Sequence, residues 1–322
     1  MFSKINNKKL AIVFAILLVL LAISYITGSA HKHGSFNSKI TDVDTSQVSS
    51  IIIYPPAKAE QIQLNMKDNN WTVSNSKEKY NADNNSVKEM LRLIHDLKAT
   101  RIATKDKDRW KDYKVTDSLA TRVQMLANNK IVTDVYIGRF SYQPPANNNP
   151  YMREQGTMTT YVRLAGENTV YATDGFLGMA FNRKISDFRD KKIAGISKDK
   201  VRKLSFSTPE GNYSLTKDNG PWMLDGLLTD SAKVEKFLSG LTHLSGYQFV
   251  KPEERTSDAA KMTLMIEGAP DPTLQIDAYP ADTTNVWAIE SSINKGAFFS
   301  GKKSGLTEKL FPGKDYFMKG DK

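Results

Sequence analysis

Twice along this chain a tryptophan, a short apolar pair, a polar gap and an amphipathic stripe follow one another in the same order. The first passage is "NNWTVSNSKEKYNADNNSVKEMLRLIHDL", Asn69 to Leu97; the second is "GPWMLDGLLTDSAKVEKFLSGLTHL", Gly220 to Leu244. Val87, Met90, Leu91, Ile94 and Leu97 fall at i, i+3, i+4, i+7 and i+10, one continuous helical face. Val234, Phe237, Leu238, Leu241 and Leu244 repeat those spacings. Asp83 or Asn84 is placed to cap the first helix, and Thr229 or Asp230 the second.

The flanking segments match as well. "VSSIII" and "EQIQLNM" precede the first tryptophan as strands, with Ile62, Leu64 and Met66 alternating on one face of a half-buried strand; "VRKLSF" and "NYSLT" precede the second. After each helix comes a further hairpin pattern. "RVQMLANNKIVTDVYIG" turns at Asn-Asn, and "MTLMIEGAPDPTLQIDAY" turns at Gly/Pro, with Leu274 and Ile276 inward and Gln275 and Asp277 outward. "TYVRLAGENTVYAT" is another hairpin, turning near Gly166 and Glu167. Arg163 in it is expected to point outward into an exposed ion pair. The expected fold is α+β: an N-terminal transmembrane helix, then two tandem repeats of a β-hairpin–helix–antiparallel β unit. The basic stretch "FRDKKIAGISKDK", Phe188 to Lys200, reads as the connection between them.

The N-terminus sets where such a body would sit. "LAIVFAILLVLLAISYIT", Leu10 to Thr27, carries no charge, and as a helix it spans about 27 Å, close to a bilayer's hydrocarbon core. Lys4, Lys8 and Lys9 precede it, and no carboxylate occurs before Asp42. The positive-inside rule then leaves the N-terminus in the cytoplasm and exports the rest. A cleaved signal peptide ending near "GSA", Gly28 to Ala30, is the alternative. The organisation expected is a membrane anchor over residues 1–28, a polar tether over 29–45, a first unit over 46–196 and a second over 197–322. The membrane contact expected is lipid through Leu10 to Thr27, in the inner (cytoplasmic) membrane with the body extracytoplasmic.

Of the formal +10 charge, Lys4, Lys8, Lys9 and Lys32 supply four, so the body is only mildly basic and has no arginine-rich run. Nucleic acid is therefore not an expected partner. No cysteine is present, which excludes disulfides, thiolate metal sites and a cysteine nucleophile. Phosphate-binding glycine loops, a G-x-S-x-G elbow and an H-E-x-x-H pair do not occur. The four histidines divide between the tether (His31, His33) and the ends of the two helical stripes (His95, His243). No catalytic residue, cofactor site or metal site is expected, and the chain reads as a binding protein, not an enzyme. Trp71 and Trp222 read as core plugs. The candidate partner contacts are Tyr142 and Tyr151, in the Pro/Asn-rich stretch Ser141 to Thr159, with Trp110 and Tyr113 in "RWKDYKV".

"WTV", "YNADNNSVKEMLRLIHDLKATRI", "RWKDYKVTD", "VYIGRF", "TYVRLAGENTVYATDGFLGMAF" and "FRDKKI" resemble the DUF4340 family, a domain of unknown function. The resemblance implies a membrane-anchored bacterial protein standing beside ABC transporter auxiliary subunits of the gliding-motility type. It brings no activity and no catalytic residue. The expected function is thus a non-enzymatic accessory or scaffold subunit of a membrane complex. A cell-envelope glycan or peptidoglycan module and a cryptic hydrolase are the alternatives.

Overall fold

The computed structural model describes residues 16–17, 38–145, 156–268, 273–282 and 286–319. Of the expected anchor only Ile16 and Leu17 are among them, both helical, and the rest of Leu10 to Thr27 lies outside. No helix among the described residues is long and apolar enough to cross a membrane. What is described is α+β and rich in sheet, with few helices.

Two nine-stranded antiparallel sheets dominate. In chain order the first uses β1 (Ser50–Tyr54), β2 (Ile62–Lys67), β3 (Asn70–Ser74), β4 (Lys79–Asn81), β5 (Ala99–Thr104), β6 (Thr121–Ala127), β7 (Lys130–Gln143), β8 (Thr157–Leu164) and β9 (Val170–Asp174). Its spatial order is β4-β3-β2-β1-β6-β7-β8-β9-β5. A short strand β10 (Lys192–Ala194) follows. The second sheet uses β11 (Lys203–Thr208), β12 (Gly211–Thr216), β13 (Met223–Leu224), β14 (Leu227–Leu228), β16 (Phe249–Val250), β17 (Met262–Glu267), β18 (Leu274–Pro280), β19 (Trp287–Ser291) and β20 (Phe298–Ser300). Its spatial order is β14-β13-β12-β11-β17-β18-β19-β20-β16, while β15 (Leu244–Ser245) pairs with β10.

One long helix serves each sheet. Helix α1 (Asn84–His95) is capped by Asp83, whose carboxylate accepts from the Asn85 N–H at 2.9 Å. It buries Val87, Met90, Leu91 and Ile94, and Leu97 just beyond its end is buried too. Two short helices, α2 (Gly178–Phe181) and α3 (Ile185–Phe188), add Phe181 and Phe188 to the same core, which includes Ile51, Ile53, Leu64 and Trp71. Helix α4 (Ser231–Leu241) is capped by Asp230 and sets Val234, Phe237, Leu238 and Leu241 against Phe206, Leu264, Ile276 and Trp222. A last helix, α5 (Leu306–Leu310), closes this second core. Burying side chains of this size stabilises each core by roughly 1.5–3 kcal/mol per residue.

One expectation is corrected here. Arg163 is 4% exposed and forms no exterior ion pair. Alternation assigns it to solvent only if one face of β8 is wet, whereas residues 107–120 cover that face and bury Tyr113, Val115, Ala120, Tyr136 and Tyr161 beside it. The guanidinium donates to the carbonyls of Val115, Leu164 and Glu167 and lies between the rings of Trp110, at 3.8 Å, and Tyr136, at 4.1 Å. Burial and not a carboxylate is its main influence, lowering its pKa from the ordinary arginine value. Met66 keeps the face of Ile62 and Leu64, opposite the buried Trp71, but beside the β2–β3 turn it stays 38% exposed.

The stretch from Phe188 to Ile196 also holds more than a connection. Phe188 belongs to the first core, Ile193, Ala194 and Ile196 to the second. The Asp83 N–H donates to the Phe188 carbonyl at 2.8 Å and the Asp190 N–H to the Asn81 carbonyl at 2.8 Å. From the other side the buried Asn294 amide donates to the carbonyls of Asp190, at 3.0 Å, and Lys192, at 3.3 Å. This segment therefore joins the two sheets, through backbone hydrogen bonds on one flank and the Asn294 side-chain amide on the other.

Candidate functional site

The strand pair β7–β8 runs on past the part of the sheet that the helices cover. A bulge decides which side chains face outward there. The register slips between Ile137 and Phe140, so Phe140 and Tyr142 continue the face of Ile137 although simple alternation would turn them away. Gly138 makes the bulge feasible: a Cβ there would lie 2.2 Å from the Tyr113 carbonyl oxygen. Packing of residues 107–120 on the opposite face thus requires a glycine at this position.

Beyond the bulge an apolar surface is assembled. Tyr142 pairs with Met158 across the strands, and the two are 52% and 48% exposed. Phe140 packs on Phe176 with ring centroids 4.3 Å apart and the rings tilted by 34°. Phe176 is exposed, and Met179, on α2, is 72% exposed. The turn carrying Phe176 is fixed from beneath by Thr160, whose hydroxyl donates to the Gly175 carbonyl at 2.6 Å and accepts from the Leu177 N–H at 3.2 Å. Gly175 adopts φ +91°, open to glycine at little cost, and its N–H donates to the Met158 carbonyl. An open concavity of about 630 Å³ lies here, lined by Tyr142, Pro145, Gly156, Thr157, Met158 and Asp174. Exposed apolar side chains held on a rigid turn are the usual chemistry of a protein contact, since water is released when they are covered.

The sequence-derived candidates separate. Tyr142 lies at the centre of this surface, and Tyr151 falls outside the described residues. Trp110 and Tyr113 sit on the opposite face of the sheet. The Trp110 indole N–H donates to the Asn168 carbonyl at 3.0 Å, and Arg163 stacks on its ring. Tyr113 is 8% exposed and packs on Tyr161, ring centroids 4.7 Å apart, so little of it is available to a partner. Sequence reasoning missed Phe140, Met158, Phe176 and Met179. The motif "DGFLGMAF" carried a signal for the last two, an apolar run with two glycines too short to bury itself. Among the described residues no group of three or more His, Cys, Asp or Glu is placed to hold a metal ion.

Comparison with known proteins adds one match. A search of curated proteins and of solved structures finds none that matches. The family model described as "Domain of unknown function (DUF4340)" matches residues 71–264, from Trp71 in β3 to Leu264 in β17. It spans more than half the chain, α1, the β7–β8 surface, the joining segment and α4 included, so the chain belongs to the DUF4340 family.

Proposed function

We propose that this chain is a non-enzymatic, membrane-anchored extracytoplasmic protein that binds a membrane-protein partner as an accessory or scaffold subunit. The observation that carries the reading is the cluster of exposed Tyr142, Met158, Phe176 and Met179 around half-buried Phe140, held on a fixed turn. The anchor supplies the other half of the argument. A body tied to the bilayer by Leu10 to Thr27 samples a volume within tens of ångströms of the membrane, which raises its effective concentration toward an integral partner. We also infer that the body is two tandem copies of one unit. The support is the matching order of strands in the two sheets and the capped helix that follows the fourth strand in each.

The test has two arms. Protease added outside intact spheroplasts is expected to digest the body while sparing the anchor; full protection of the body would refute the topology. Gently solubilised membranes are expected to yield the chain with a stoichiometric integral-membrane partner. Met179→Asp, which puts a charge on an exposed site, is expected to reduce that co-purification at least roughly tenfold, in the range of an interface hot spot. Co-purification unaffected by Met179→Asp and by Tyr142→Asp would remove this surface from the proposal.

A further inference from the structure

Among the described residues two buried arginines pack against aromatic rings, and they differ in one respect. Arg163 spends its N–H groups on three carbonyls. Arg189, 9% exposed, does not. Its guanidinium lies 3.5 Å from the ring centroid of Tyr80, in the first sheet, and 3.5 Å from that of Phe249, in the second. Its Nε is buried without a hydrogen-bond partner. None of the ion pairs formed among the described residues includes it. A buried charged donor left without an acceptor is costly, and native proteins keep few of them.

The surroundings say what acceptor is missing. Arg189 lines a cleft of about 210 Å³ between the two sheets, together with Lys79, Asn81, Asp190, Asn294 and Lys295. With a ring on each face of the guanidinium, its donors are free only at the edge, in the plane of the fork. That geometry matches a planar oxyanion, which accepts two parallel N–H groups. Lys79 and Lys295 add positive charge to the same wall. Asp190 is the one carboxylate in it; its Oδ1 accepts from the Lys192 N–H at 2.9 Å. Its negative charge is outweighed by those of Arg189, Lys79 and Lys295, so the wall as a whole stays positive. Asn294 is already committed to the carbonyls of Asp190 and Lys192, so that wall is fixed before anything binds. The cleft is smaller than those that take drug-sized molecules, roughly 300 Å³ and above, which limits the guest to a few carbons.

We propose that this cleft is a binding site for a small organic carboxylate, whose two oxygens take the fork of Arg189. The site is independent of the apolar β7–β8 surface, and neither reading depends on the other. The full chain in detergent micelles is titrated calorimetrically with succinate, with its neutral isostere succinamide and with inorganic phosphate. Saturable succinate binding is expected with a dissociation constant on the order of 1 mM, and none with succinamide. Arg189→Lys, which keeps the charge but loses the fork, is expected to weaken it at least about tenfold with the circular dichroism spectrum unchanged. Lys295→Glu, on the exposed rim, serves if the lysine variant does not fold, and a severalfold loss is expected from it. No saturation with succinate, tighter binding of phosphate, or wild-type affinity in both variants would overturn the proposal.

Discussion

A pair of glycine substitutions tests the packing around the joining segment, because the structure predicts opposite signs for the same added methyl group. Gly246 follows β15, and its N–H donates to the Lys191 carbonyl at 2.8 Å. A Cβ placed there would lie 2.0 Å from Cδ1 of Phe299 and 2.4 Å from its Cγ. Ordinary carbon contacts are about 3.5–4.0 Å, so the ring would have to retreat by about 1.5 Å. It cannot do so cheaply. Phe299 is fully buried, packs on Phe249 at 4.9 Å, and sits in β20 between β19 and β16. Overpacking of this kind costs roughly 1–3 kcal/mol, and the rigid setting argues for about 3. For a unit of this size that lowers the melting temperature by about 6–12 °C. Gly240, in α4, is exposed and has nothing within 4 Å of an added Cβ. Alanine there removes a helix-interior glycine and gains about 0.5–1 kcal/mol. Thermal unfolding of the full chain followed by near-ultraviolet circular dichroism, which reads packing around buried aromatics, is the assay. A Gly246→Ala variant melting at or above wild type, or both variants shifting the same way, would refute the reasoning.

Three further outcomes follow from single side chains. Asp230→Ala removes the cap of α4, whose carboxylate accepts from the N–H groups of Ala232 and Lys233, and should cost about 1 kcal/mol in denaturant unfolding. Arg163→Lys leaves at least two of three carbonyls without their donor and should destabilise by at least about 2 kcal/mol, although charge is conserved. Asp134 is partly buried, which pushes its carboxyl up, but hydrogen bonds from Arg122 and Gln124 outweigh this and hold it below the usual carboxylate range. A depressed folded pKa gives stability that is present above the unfolded value, about 3.9, and lost as pH falls through the folded one. Asp134→Asn should therefore be less stable than wild type near pH 7, by about 1–3 kcal/mol, with the gap closing below pH 4 as measured by urea midpoints.

Local chemistry made much of the fold legible before any coordinates. The stripes of α1 and α4 are buried as their spacing requires, Asp83 and Asp230 cap them, and Trp71 and Trp222 are both 3% exposed. The turn at Asn128 and Asn129 has positive φ at both residues, the conformation that Asn tolerates best among residues with a Cβ. Contacts between distant segments were not legible. Nothing near Arg163 announces that residues 107–120 fold over it. The bulge at Gly138 that turns Phe140 and Tyr142 outward is set by a backbone carbonyl a full strand away. Strand β10 has three residues and a partner about fifty positions later, so neither periodicity nor turn chemistry marks it. Arg189 lies in a motif quoted for family resemblance, yet its two ring partners come from different sheets.

The margins of the two sheets carry a last consequence. Three of the four terminal strands, β4, β14 and β16, offer only two or three residues of backbone, and β5, the longest at six, is interrupted by two slips of register. An extended peptide could not zip onto any of them for more than a few hydrogen bonds. Short, broken margins of this kind guard the protein against fibre-like stacking of one copy's sheet on another's.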